Sequence, residues 1–308
     1  MLNRRASHRI IILCCLLFSS PLQHKGQDKP SIGFVDIFSL PVPYCFSYYC
    51  APDVDNFWSV GGSTIFHSKG DGSLNKRELP MDSTFYSIHS RGSGIGWIVG
   101  SDGNILYTPD NGKTWVRQQS GVRDEALNAV TCVDNRRCWV VGQDSVLRTT
   151  DAGLHWQKLT NISAEGSTLQ AVSFVDAQTG WIAVHENEVL HTSDGGATWQ
   201  VQKVGADVAA IDFLEDVQFV DRQTGYVAGW GGVARTIDGG KTWQTVLRGS
   251  EIQGNGHFIG LVIRDGGRKV WAVGDERTPN YCSDDGGRSW KPCGLKAPEI
   301  QKTARRCP

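Results

Sequence analysis

Residues 236–243 read Thr236-Ile237-Asp238-Gly239-Gly240-Lys241-Thr242-Trp243. The same phrase, Ser/Thr-x-Asp-x-Gly-x-x-Trp, stands at Thr108 to Trp115, Thr149 to Trp156, Thr192 to Trp199 and Ser283 to Trp290. Its successive tryptophans lie 41, 43, 44 and 47 residues apart. A period of this length marks stacked supersecondary units, each of which needs a neighbour to bury its apolar surface.

Outward from the phrase, residues 127–160 show one whole unit. Leu127 to Val133 alternate as a strand, Cys138 to Gly142 form a second, Ser145 to Thr150 a third and His155 to Thr160 a fourth. Short runs rich in Val, Ile, Thr and Trp, broken by Gly and Asp, read as strands and hairpins. The unit is therefore a four-stranded antiparallel meander. The quartet recurs over Phe85 to Gln119, Leu169 to Lys203, Asp216 to Leu247 and His257 to Cys293. A degenerate copy begins at Trp58-Ser59-Val60-Gly61, where Gly70 replaces the turn aspartate and Asn75 the tryptophan. Six repeats of four strands predict an all-β fold, a β-propeller of four-stranded antiparallel blades. Six blades are favoured. The flanks, Pro30 to Leu40 and Gly294 to Pro308, leave room for a seventh or for a latch strand. Residues 30–308 then make one domain.

Each position of the phrase has a folding task. An aspartate opening a turn accepts backbone N–H groups two residues on. The following glycine takes positive φ without steric cost. The Ser/Thr hydroxyl satisfies a neighbouring backbone group, and the tryptophan packs a large ring between hairpin and adjacent sheet. Asp110, Asp151, Asp194, Asp238 and Asp285 are accordingly expected to be structural. Five copies on separate blades do not converge on one substrate atom.

The 308 residues are 40% hydrophobic, enough for a sizeable core, and their formal charge of −1 gives no field that would draw nucleic acid. Arg4, Arg5 and Arg9 precede an apolar run from Ile10 to Phe18, too short to span a bilayer as a helix. Residues 1–26 read as a signal peptide with a short linker, which predicts an extracytoplasmic protein, secreted or periplasmic. Peripheral association with a membrane is compatible with that address. Cys14 and Cys15 lie in the run without a convincing lipid-attachment pattern. Export permits disulfides. Cys132 and Cys138 flank a short turn, and Cys282 and Cys293 sit on opposite arms of the last hairpin, so both pairs are candidates. Cys45, Cys50 and Cys307 leave an odd thiol. No paired CxxC spacing suggests zinc, and neither a metal nor a cofactor is expected.

The phrase resembles the Asp-box, or bacterial neuraminidase repeat. The longer pattern Gly225-Tyr226-Val227-Ala228-Gly229 with Thr236 to Trp243, and Gly96 to Gly100 with Thr108 to Trp115, resembles the photosystem II stability and assembly factor family. The resemblance covers about residues 57–293. It implies a propeller that assists assembly of a reaction-centre subunit on the lumenal side of thylakoids, if the source is photosynthetic. It also implies an arginine-rich surface, to which Arg148 and Arg235 correspond in position. The loops here differ from such a surface: Asp124, Glu125, Glu165, Asp207, Asp212, Glu215, Asp216 and Glu251 outnumber Arg123, Lys203 and Arg248.

In a meander, the second-to-third strand turns and the inter-blade loops share one face, and the Asp-box turns occupy the other. Function is therefore sought at Gln143, His185, Trp230 and Asp275, with Trp230 as an aromatic anchor. Three classes follow. A non-enzymatic scaffold binding a protein partner is the principal reading. A sialidase-like or other glycoside hydrolase would need an arginine cluster, a tyrosine–glutamate pair and an acid/base aspartate, which the sequence does not assemble. Carbohydrate binding without catalysis would suit Trp230.

Overall fold

The computed structural model describes residues 47–50, 57–68, 74–79, 83–90, 94–160, 162, 167–204, 211–275 and 277–293. The flanks 30–40 and 294–308, the proposed signal, Cys45 and Cys307 lie outside these residues. So do Glu165 and Asp207.

Among the described residues the chain forms six four-stranded antiparallel sheets, one per sequence repeat. The first blade holds β1 (Ser47–Cys50), β2 (Phe57–Gly61), β3 (Thr64–Ser68) and β4 (Leu74–Glu78). The second holds β5 (Phe85–Ser90), β6 (Gly96–Gly100), β7 (Ile105–Thr108) and β8 (Val116–Gln118). The third is β9 (Leu127–Cys132), β10 (Cys138–Gly142), β11 (Val146–Thr149) and β12 (Gln157–Leu159). The fourth is β13 (Leu169–Phe174), β14 (Gly180–Val184), β15 (Glu188–Thr192) and β16 (Gln200–Lys203). The fifth is β17 (Asp212–Phe219), β18 (Gly225–Trp230), β19 (Gly232–Thr236) and β20 (Gln244–Arg248). The sixth is β21 (Phe258–Arg264), β22 (Lys269–Gly274), β23 (Tyr281–Ser283) and β24 (Lys291–Pro292). The fold class expected from the repeats is the one observed. The opening strand of the first blade, β1, carries no sequence signal comparable to its sisters.

The first strands of successive blades touch in series, β1 to β5, β5 to β9, β9 to β13, β13 to β17 and β17 to β21. The apolar cores lie between blades. One cluster joins Trp139, Val141 and Leu159 of the third blade to Leu169, Ile182 and Trp199 of the fourth. Another joins Trp181 and Val189 to Leu214, Val227 and Trp243. This explains why the second strands are buried along their length: each is covered on both faces, as a blade inside a stack must be. Ring stacking marks the same joints. Trp139 stacks 3.7 Å from Phe174 and Trp181 stacks 3.5 Å from Phe219, the ring planes nearly parallel in each case.

Cys132 is bonded to Cys138 across the β9–β10 pair, and Cys282 to Cys293 across the last hairpin. Among the described residues no helix is long and apolar enough to cross a membrane.

Candidate functional site

Alternate turns of a meander emerge on opposite faces, so each blade offers two ends. The Asp-box end is occupied by its own bonds. In the fourth blade, Thr192 Oγ1 donates to Asp194 Oδ1 at 2.8 Å and accepts the Gly196 N–H at 2.9 Å. Asp194 then accepts the Thr198 N–H at 2.9 Å and the Thr198 hydroxyl at 2.6 Å. Asp110, Asp151, Asp238 and Asp285 repeat the pattern. Where an aspartate opening a turn is expected to reach two residues on, the carboxylate here reaches four residues on, and the hydroxyl serves the nearer groups. The turn's other side is tied down as well, for Gly195 N–H donates to Gln178 O and Gly239 N–H to Gln223 O, in the first-to-second strand turns.

The box also fastens neighbouring blades. Trp139 Nε1 donates to Gly195 O at 3.0 Å, Trp181 Nε1 to Gly239 O at 3.1 Å, and the Tyr226 hydroxyl to Gly286 O at 3.1 Å. Gly112, at φ 74°, sits where a Cβ would collide with the Trp58 ring of the preceding blade. The strand arginines join this joint. Arg148 donates to Gly195 O at 3.2 Å, and the Arg235 guanidinium lies 5.8 Å over the Tyr226 ring. Hydrogen bonds set the box carboxylates low: burial pushes Asp194 up, but the Thr198 hydroxyl and N–H outweigh it and hold it at about 2.

On the opposite face another bond recurs. Gln143 N–H donates to Ala126 O, His185 N–H to Thr168 O, Gly231 N–H to Gly256 O and Asp275 N–H to His257 O. Each second-to-third strand turn is thereby pinned to the loop entering its own blade. Above this common frame the side chains diverge, and in blades four to six they form one contiguous patch.

The patch starts from β17, which runs eight residues where other first strands have four to seven. Its pairing with β18 slips twice, between Asp212 and Leu214 and between Leu214 and Asp216. Bulges re-aim the residues they insert. Phe213, at φ 49°, is held in the left-handed region that a bulky side chain avoids, and its ring is 48% exposed. That ring lies 4.7 Å from His185, whose Nδ1 is 2.8 Å from the Gln170 amide. Asp212 pairs in register with Trp230, which is 45% exposed. Trp230 in turn lies 4.9 Å from the His257 ring.

His257 sits between two carboxylates. Its Nδ1 is 3.3 Å from Asp275 Oδ2 and its Nε2 is 3.5 Å from Glu215 Oε1. Burial opposes a charge on the ring, but Asp275 and Glu215 outweigh it and raise His257 to about 9. Burial likewise pushes Asp275 up, yet His257 and the Arg277 backbone N–H bring it down to about 2. Beneath them Asp216, partly buried, accepts the Leu261 N–H of the next blade at 2.8 Å, and desolvation lifts its carboxyl to about 7. The corresponding joint of blades two and three uses Ser87 Oγ to accept the Val130 N–H.

The structure thus links His185, Trp230 and Asp275 through Phe213 and His257. Gln143 is exposed on the same face but belongs to the third blade, outside blades four to six. Asp212, Glu215 and Asp216 lie in β17 rather than in a loop. Glu125 is buried, accepting the Ser145 hydroxyl at 2.8 Å and the Asp144 N–H at 3.0 Å, so it shapes its own turn. Phe213 and His257 were not singled out from sequence; the signal for Phe213 was an aromatic three residues ahead of the run that begins at Asp216. Among the described residues no group of three or more His, Cys, Asp or Glu side chains could hold a metal ion.

Comparison with known proteins fits this architecture. A family model described as photosynthesis system II assembly factor YCF48 matches residues 67–164 and 160–291. The photosystem II assembly lipoprotein Ycf48 of Synechococcus sp. (strain CC9902) is 28% identical over 145 residues, 45% of this chain and 41% of that protein. The chain spans less than half the length of the curated relatives it matches. A solved structure of YCF48 bound to D1 peptide superposes with a TM-score of 0.62 at 20% identity, covering 82% of this chain and 86% of the other. Enzymes share the architecture too: virginiamycin B lyase from Staphylococcus aureus gives a TM-score of 0.65 at 13% identity, covering 82% and 90%. At these identities the structural likeness concerns the fold alone.

Proposed function

We propose a function from one premise: this chain belongs to the family of photosynthesis system II assembly factor YCF48. It is a non-enzymatic scaffold that binds a protein partner and assists its assembly. It does so through the face opposite the Asp-boxes, at the patch of blades four to six. The observation that carries this reading is the pair of exposed aromatics of the fifth blade, Phe213 and Trp230, each set against a histidine of a neighbouring blade, His185 and His257. Exposed aromatics amid polar residues are the ordinary anchors of protein interfaces. Phe213 holds its exposed position at the cost of a left-handed backbone, which folding alone does not reward. The solved relative bound to a D1 peptide makes a peptide segment a natural class of ligand.

An extracytoplasmic location belongs to the same proposal. Two disulfides and the basic-then-apolar leader support it, and one relative is a lipoprotein. The carboxylates nearest the patch support binding over hydrolysis, because Glu215 and Asp275 are both engaged with His257.

Photocross-linking in the native envelope tests the reading. A benzophenone amino acid placed at position 213 should give covalent adducts with a discrete protein. The same group at Ile237, 67% exposed on the Asp-box side, should give none. Adducts from 237 and silence from 213 would sink the assignment of the face.

A further inference from the structure

The patch has a charge character as well as an aromatic one. Its turns and strand carry four carboxylates: Glu186 follows His185, Asp212 precedes Phe213, and Glu215 and Asp275 flank the His257 ring. Glu215 and Asp275 share His257. Glu186 and Asp212 are exposed, and neither side chain has a partner among the described residues. The nearby cations are engaged: Lys203 with Glu188, and Arg248 with Glu251. An acceptor is also left over beneath the patch. Gln170 is 1% exposed, its amide lies against His185, and its Oε1 has no partner among the described residues. A donor entering beside His185 would satisfy it, whereas an anion would not.

We propose that this patch docks a cationic segment of a protein, with lysine or arginine side chains lying against Phe213 and Trp230 and hydrogen-bonding Asp212 and Glu186. The inference rests on the protein-binding function proposed above and adds the chemistry of the segment. Aromatic faces attract ammonium and guanidinium groups through their quadrupole, and adjacent carboxylates reinforce the attraction. The same carboxylates repel an acidic segment. A neutral sugar could stack on Trp230 but would leave Asp212 and Glu186 without countercharge.

Three short fluorescent peptides decide the matter. They share one apolar framework and carry lysine, glutamine or glutamate at the same positions. Anisotropy is read against the full chain with both disulfides intact. The lysine peptide should bind about tenfold tighter than the glutamine peptide, weaken as salt is added, and bind far more tightly than the glutamate peptide. Trp230→Ala and Asp212→Asn should each weaken it several-fold at unchanged melting temperature, and Ile237→Ala should leave it unaltered. If lysine and glutamine peptides bind alike and Trp230→Ala abolishes both, the face stands as a docking surface and the cationic claim is overturned. If binding ignores Trp230, Phe213 and Asp212 but falls with Ile237→Ala, the docking face itself is wrong. Binding of a neutral cello-oligosaccharide at the patch in place of all three peptides also overturns the proposal.

Discussion

Within each repeated phrase the hydroxyl and the carboxylate divide the backbone donors between them. Thr236 Oγ1 takes the Gly240 N–H and Asp238 takes the Thr242 N–H, so neither residue can be replaced by the other. Asp216 shows how a similar carboxylate behaves inside the stack. Its Oδ2 does at the fifth and sixth blades what the Ser87 hydroxyl does at the second and third. Desolvation raises it to about 7, so the folded state holds its proton more tightly than the unfolded chain. Its contribution to stability is therefore complete below about pH 4 and is lost as pH rises through about 7. Asp216→Asn keeps an acceptor for Leu261 and removes the titration. Melting temperatures should fall for the natural protein relative to the variant as pH climbs through that window. Parallel curves for the two proteins would contradict this. The sequence revealed the box aspartates because they recur; it did not reveal Asp216, whose character depends on a neighbouring strand 45 residues away.

At the scale of elements, the second strand of each blade was the most legible feature, since Trp97, Trp139, Trp181, Tyr226 and Trp271 head nearly identical runs. The bond that Trp139, Trp181 and Tyr226 make was not legible, because its acceptor lies in the next blade. Tyr226→Phe should cost about 1 kcal/mol by leaving the Gly286 carbonyl without its hydroxyl donor, read as a shift in the urea midpoint. The double bulge of β17 was hidden for a related reason: a bulge is defined by the partner strand, not by its own residues. Phe213→Gly makes a sharper test of that bulge. It relieves the left-handed φ, which costs a side-chain-bearing residue about 1 kcal/mol, partly offset by glycine's greater freedom in the unfolded chain. The variant should melt no lower than the natural protein and yet lose affinity for the lysine peptide. A clear drop in melting temperature would show that the Phe213 ring packs for stability.

Across the whole molecule, the two faces of the propeller carry different burdens. The Asp-box face joins blade to blade through Gly195, Gly239 and Gly286, and its residues are consumed by that task. The other face keeps a shared backbone frame and varies its side chains, which is where a scaffold acquires a partner. Periodicity made the number of blades readable, because every blade solves the same burial problem. It could not show which blades cooperate. Phe213 and Trp230 share one hairpin, and only the radial arrangement brings His185 and His257 of the adjacent blades against them. The separation of burdens is tested most directly by measuring melting temperature and lysine-peptide affinity on the same two variants, Asp194→Ala and Trp230→Ala. Asp194→Ala should lower stability by about 1 kcal/mol through the loss of its hydrogen bonds to the Thr198 N–H and hydroxyl, while the folded fraction binds normally. Trp230→Ala should weaken binding at an unchanged melting temperature. Lost binding with intact stability in Asp194→Ala, or lost stability with intact binding in Trp230→Ala, would contradict the account.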